Sequence, residues 1–591
     1  MNINTELHFG AIPRIHQKRS KIDLSHSIKT TWNNGELIPF DVQEVLPGDT
    51  IQIDMSSIVR MATPLYPVMD NMFCDIYWFF VPRRLTWNHW EEFWGQNDDE
   101  WTQTNEYEIP QIEAPSGGWA SGSIADYMGI PTYVDDISID AQYFRSYAKI
   151  YSDWFRSENL QKSAHFYVDE TTRTGSNGTN YITDVELGGM PAKACKLMDY
   201  FTACLPAPQK GPSVAIPLGT TANVSGKIPA TTGITYAAAV DRVLGDKEKT
   251  NIRFEVPDST SIDADKMYNY MLEHYAQTAD TNWTGNVHYT DGIAATQRKQ
   301  AWPRNLYTDM PEITITGSNL TADLTNATAA TINELRTAFA IQKYYEGAAR
   351  YGTRYIEYLR GVFGVESSDA RLQRSEYLGG MRFMVNMDQV LQTSSTDAVS
   401  PQGNTAGFSC TNFKDSCFTK SFEEHGILMG LLVTRTEHSY QQGIPKQFSR
   451  TKWTDFYNPY FANLGEMPVL NKEIYAQGSD VINAETGDPY DEEVFGYNEA
   501  WAEYRYIPNR VSGNMRSNTP GGGLDAWTYV DNYNKLPTLG STWIEENTDN
   551  VDNTIAVSSM LANQMWGDLY IREYATRVMP LYSLPGLIDH V

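Results

Sequence analysis

Histidines, carboxylates and glycines do chemistry only at particular spacings, and the spacings in this chain match no catalytic pattern. His89 is followed by Trp90-Glu91-Glu92 rather than the Glu-x-x-His of a helical zinc site, and Glu423-Glu424-His425 has no upstream partner His. Gly219 to Lys227 has the look of a phosphate loop. Its glycine spacing is wrong, and Ile228 stands where Ser or Thr would be needed. No G-x-S-x-G elbow carries a nucleophile, and no G-x-G-x-x-G follows a strand. Asp98-Asp99, Asp135-Asp136 and Glu492-Glu493 are acid pairs of the type glycosidases use, but adjacent acids in polar stretches read as solvated surface. His26, His89, His425, His438 and His590 lack a Cys or Asp at nucleophilic spacing and read as structural. The expectation is a protein with no catalytic residue, no metal site and no cofactor.

Charge offers a different chemistry. The chain carries a formal −27, against the pattern of a conventional basic nucleic-acid binder. Residues 83–140 hold twelve carboxylates and only Arg83 and Arg84, whereas residues 1–30 carry Arg14, Lys18, Arg19, Lys21 and Lys29 against Glu6 and Asp23, a net +3. Those five cations are candidate contacts to DNA phosphates, because a Lys or Arg gains affinity by releasing counterions.

The elements that would position these groups follow from composition and periodicity. An apolar fraction of 41% supports a real core, and an aromatic fraction of 12% suits extensive interfaces or sugar-stacking surfaces. Five cysteines (Cys74, Cys195, Cys204, Cys410 and Cys417) without a C-x-x-C imply free thiols in a reducing compartment. Residues 1–30 have no apolar signal-peptide core, and the longest apolar stretch, Gly426 to Val433, is too short to span a bilayer. A soluble protein without a cleavable signal is expected.

Residues 1–30 read as a weakly ordered arm. Strands are predicted from Gly35 to Val81, with Val42, Val45, Ile51 and Ile53 among turn formers and an aromatic, β-branched run from Phe73 to Val81. Helices are predicted at Thr86 to Trp94, where Trp87, Trp90 and Trp94 lie three and four apart, and at Asp140 to Phe155. The longest helix begins at the capping box Thr331-Ile332-Asn333-Glu334, and apolar or small residues recur every three or four positions to 362. One buried face is expected, with a kink at Gly347 or Gly352. The Thr, Ala, Asn and Gly-rich stretch 210–330 reads as a surface insertion, and strand character returns from Leu536 to Val591.

Several blocks carry a resemblance. They are Arg19-Ser20-Lys21-Ile22-Asp23-Leu24-Ser25-His26-Ser27, Lys29-Thr30-Thr31-Trp32, Glu44-Val45-Leu46-Pro47-Gly48-Asp49-Thr50 and Tyr77-Trp78-Phe79-Phe80-Val81-Pro82. Further along come Leu205-Pro206-Ala207-Pro208-Gln209-Lys210-Gly211, Tyr351 through Gly380, Trp501-Ala502-Glu503-Tyr504-Arg505-Tyr506 and Pro580 to His590. In this order they resemble the major capsid proteins of gokushovirus-type Microviridae, with 210–330 the stretch that matches least.

The resemblance implies a mainly β fold, a single eight-stranded antiparallel jelly roll with long loop and helical insertions. Sixty copies would form a T=1 icosahedral shell around a circular single-stranded DNA genome, with pentameric intermediates. The implied layout is an internal arm (1–30), first strands with helical insertions (31–209), a three-fold protrusion that contacts the host (210–330), and a long helix with the remaining strands and tail (331–591). Implied partners are an internal scaffolding protein, a small basic DNA-binding protein, a minor capsid or pilot protein, single-stranded DNA and a host receptor. The implied location is the virion, assembled in the bacterial cytoplasm. Trp32, Trp87, Trp90 and Trp94 are then candidate interface anchors, and Trp78 a core residue. Sixty arms of +3 total about +180 against the ~1,000 phosphates of even a short genome, so they would tether DNA rather than neutralise it. Composition alone leaves open a carbohydrate-binding or glycan-processing protein.

Overall fold

In the computed structural model the described residues are 18–94, 107–212, 214, 223–225, 321–323, 332–352, 354–394, 396, 401–403 and 405–582. Nine strands carry the architecture: β1 (Ser20–Asp23), β2 (His26–Trp32), β3 (Ile38–Val45), β4 (Thr50–Met61), β5 (Met72–Pro82), β6 (Glu376–Met384), β7 (Thr411–Ser421), β8 (Gly426–Thr436) and β9 (Met565–Arg577). β1 and β2 pair with successive halves of β9, which pairs with β4 and then β7, giving one five-stranded antiparallel sheet. The second sheet runs β3, β8, β5, β6, also antiparallel throughout. The fold is a mainly β sandwich.

Alternation builds the first sheet. In β4, Ile51, Ile53, Met55, Val59 and Met61 point inward while Gln52, Asp54, Ile58 and Arg60 point out. Facing them from the second sheet are Phe40, Trp78, Phe80, Leu428 and Leu432, with Trp32 and Leu569 completing one apolar core. The second sheet is buried on its other face too. There Phe79, Val81, Ile427, Met429 and Leu431 pack against Phe144, Tyr147 and Ile150 of α1 (Gln142–Ile150). Double burial explains why β5 and β8 read as continuous apolar runs instead of alternating. Close approach shapes β8 as well: a Cβ on Gly430 would lie 2.7 Å from the Phe40 ring. A loop-rich third cluster gathers Tyr200, Phe201, Tyr440, Phe495 and Trp543.

Four expectations need correcting or narrowing. Residues 20–30 are strands rather than part of a weakly ordered arm, because β9 supplies them a full hydrogen-bonding edge. The helix expected over Thr86 to Trp94 is a 3-10 turn, Arg83–Leu85, and one helical turn, Trp90–Phe93. The rings of Trp87, Trp90 and Phe93 pack together there without a longer helix. The 140–155 segment is α1 followed by a π turn, Tyr151–Phe155. The long periodic segment divides into α2 (Ile332–Tyr351) and α3 (Tyr355–Phe363), broken at Gly352, whose φ of +90° suits only glycine. It has no continuous buried face: Ala348 and Ala349 are buried, but Phe339, Tyr344, Tyr355 and Phe363 stand exposed.

The chain divides into two compact units, Met1–Pro212 with Lys343–Val591, and Ser213–Gln342. Within the second, Asn223–Ser225 pairs antiparallel with Thr321–Asp323, Ser225 lying opposite Thr321. Apart from 210–212 and 214, the rest of the 210–330 insertion lies outside the described residues, as does the capping Thr331.

Candidate functional site

The sequence-predicted cations fall on or beside the first sheet. Lys18 and Arg19 are exposed and lead into β1, while Arg14 lies outside the described residues. Lys21 on β1 places its Nζ 4.1 Å from the ring centre of Tyr574, and Lys29 on β2 lies 3.5 Å from Asp568 on exposed surface. Salt-screened contacts of this kind contribute little to stability, so both side chains are free to exchange partners.

The four tryptophans separate by depth. Trp32 is sealed in the sandwich core, its Nε1 donating to Thr434 Oγ1 at 3.1 Å, and Trp87 is equally inaccessible. Trp90 is buried between Trp87 and Trp94, with centroids 6.2 and 5.8 Å away. Trp94, 60% exposed and stacked on His425, is the one of the four that offers a ring to a neighbour. Trp32 and Trp87 anchor the chain to itself.

A larger aromatic surface went unread in the sequence. Three 3-10 turns, Lys446–Phe448, Trp453–Asp455 and Pro459–Phe461, and a fourth at Ala502–Tyr504 carry Phe448, Trp453, Phe456, Tyr460, Tyr504 and Ile507 into solvent. Tyr460 is 94% exposed and Trp453 71%. The turns are rigidly held. Asn458 accepts from the Tyr460 amide at 3.0 Å, Trp501 Nε1 donates to the Phe461 carbonyl at 2.9 Å, and Arg450 lies over the rings of Phe456 and Tyr504 while pairing with Glu503 at 3.4 Å. Exposed rings on a fixed ledge with arginine among them have the composition of an interface centre. The signal was there in Trp453 to Leu464, five rings and a proline in one polar stretch.

A second missed feature is buried. His438 bonds Asp531 through Nδ1 at 2.8 Å and Glu546 through Nε2 at 3.1 Å, and Lys196 Nζ lies 3.6 Å from Asp531. Tyr533 donates to Asp531 at 2.7 Å, and Thr436 and Asn34 donate to Glu546 at 2.9 and 2.8 Å. Burial alone would lower the His438 pKa. The carboxylates of Glu546 and Asp531 outweigh it and raise the value to about 10. Burial likewise opposes ionisation of Asp531 and Glu546, yet His438 holds both below their ordinary range. With every member bonded to another, the buried cluster ties remote segments together. Among the described residues no group of three or more His, Cys, Asp or Glu is arranged to hold a metal, and no helix is long and apolar enough to cross a membrane.

Comparison with known proteins gives these surfaces their context. The profile of the family described as "Capsid protein (F protein)" matches residues 10–587. The chain is 39% identical to the capsid protein VP1 of Spiroplasma virus 4, over 99% of this chain and 98% of the relative. It is 38% identical to VP1 of Chlamydia phage 1 (98% and 97% covered) and 37% identical to VP1 of Bdellovibrio phage phiMH2K (98% and 97%). A β sandwich with exposed aromatic surfaces agrees with relatives named as capsid proteins. The chain therefore belongs to the phage capsid protein (F protein) family, among the gokushovirus-type Microviridae.

Proposed function

We propose that this major capsid protein folds as an eight-stranded jelly roll and assembles, sixty copies at a time, into a T=1 shell around circular single-stranded DNA. The observation that carries the fold is strand order. Counting β1 and β2 as one interrupted strand, each sheet has four, and consecutive strands alternate between the sheets except β5 and β6, which pair within one sheet, as in a jelly roll. The ledge from Phe448 to Ile507, with Trp94, supplies the subunit contacts, since shell interfaces draw on Tyr, Trp and Arg at their centres. Five-fold and three-fold contacts are heterologous, so each subunit needs a donor and an acceptor surface. Lys18, Arg19, Lys21, Lys29 and Arg14 contact packaged DNA, assisted by a small basic protein. An internal scaffolding protein directs assembly from pentamers in the host cytoplasm, a minor capsid or pilot protein joins the particle, and the 210–330 insertion meets the host receptor at the three-fold axes.

Size exclusion with light scattering and negative-stain microscopy tests this, on the chain alone and co-expressed with the scaffolding candidate. Uniform round particles of sixty subunits, or discrete pentamers, are expected. A strictly monomeric product under both conditions would overturn the assembly reading.

A further inference from the structure

We infer that the outward face of the β1/β2–β9–β4–β7 sheet is a stacking platform for single-stranded nucleic acid, and so the side of the subunit that faces the genome. This deepens the shell reading and rests on it. Along β9 the residues directed away from the core include Trp566, Tyr570 and Tyr574, with Trp566 40% and Tyr570 44% exposed. They lie four residues apart, about 13 Å along the strand. The register sets polar or charged neighbours beside each ring. Tyr570 sits between Ser56 and Ser27, Trp566 between Arg60 and Thr31, and Tyr574 between Gln52 and Asp23. The Trp566 and Tyr570 rings therefore remain open to solvent in part.

Charge on this face departs from the chain's −27. Lys21, Lys29, Arg60, Lys414 and Arg572 share it with Asp23, Asp54 and Asp568. Arg60 and Lys414 have no carboxylate partner among the described residues, and Lys21 and Arg572 bracket the Tyr574 ring at 4.1 and 5.3 Å. Beside Trp566 runs a groove of about 890 Å³, lined by Lys29, Arg60, Asp126, Tyr127 and Asp568. Flat rings interleaved with cations on a four-stranded sheet are how bases are held without regard to sequence, the ring taking the base and the cation its phosphate.

The test uses the purified full-length chain, its particles, and a fluorescent oligothymidylate of about 30 nucleotides with a duplex control. W566A/Y570A should bind the single strand about tenfold or more weakly, with unchanged thermal unfolding since both rings are exposed. R60A should reduce the salt slope by about one. Photo-cross-linking of bromodeoxyuridine DNA in particles should label the peptide containing 566–574. Undiminished affinity in W566A/Y570A, or cross-links confined to other faces, would overturn the platform while particles still form. Loss of particles with oligonucleotide affinity retained would also overturn it, because a second copy would then cover this face. A wild-type chain that forms no particles would instead fail the shell reading, with the subunit's oligonucleotide affinity still deciding the platform.

Discussion

Lys196, His438, Asp531 and Glu546 bring two positive and two negative charges into the interior, where removing one member strands the others. H438Q should cost about 3–5 kcal/mol in chemical denaturation, the penalty of leaving buried carboxylates without their cation. The pH dependence follows from the raised His438 pKa. The folded chain keeps a proton that the unfolded chain releases, so this contribution is complete below pH 6.5 and disappears as pH rises through about 10. Over that window stability should fall with a slope approaching about 1.4 kcal/mol per pH unit. His26, raised to about 9 first by its bond to Asp41, adds in the same direction, so H438Q should flatten the slope without abolishing it. Asp531 and Glu546, held low, contribute above their unfolded pKa and lose that contribution in acid. An unchanged alkaline slope in H438Q would show that the imidazole is not the titrating group. His438 was readable from sequence as a structural histidine. Its partners were not, because Lys196 and Glu546 come from remote turns that no local pattern joins to it.

At the scale of elements, legibility followed burial. β4, β5 and β8 declare themselves, by alternation where one face is covered and by continuous apolar runs where both are. The β1–β2 segment was misread as an arm because its order comes from β9, more than five hundred residues away. The helical periodicity up to 362 was real but overstated the packing, since Gly352 redirects the chain and leaves α3 without a buried residue. A truncation series separates arm from strand. Removing residues 1–17 takes only Arg14 of the five candidate cations, so it should leave the thermal transition of the isolated subunit within a degree or two and keep most of the DNA content per particle. Removing 1–32 deletes β1, β2 and the core ring of Trp32, a loss of about 3–5 kcal/mol for the ring alone, and uncovers the β9 edge. That chain should be insoluble. If it folds and assembles like the shorter truncation, β9 does not need its partner.

For the whole molecule the question is which surfaces the shell uses. W453D/Y460D puts two carboxylates on the ledge, where neither ring supports the subunit core, so folding should persist. Burying either charge at a contact without a partner costs several kcal/mol, which exceeds what a modest shell interface can spare. The variant should therefore remain as unassembled subunits by light scattering, and normal particles would move the contact elsewhere. The insertion calls for the opposite outcome. Asn223–Ser225 and Thr321–Asp323 form a two-stranded stem that brings both ends of 226–320 together, so a short Gly/Ser linker can replace that segment without displacing either strand. The closure entropy of the shorter loop is, if anything, smaller. Particles should still form and retain DNA, while adsorption to host cells is lost. Particles that assemble and adsorb normally would remove the receptor role, and an aggregated product would mean that 226–320 covers apolar surface the subunit cannot expose.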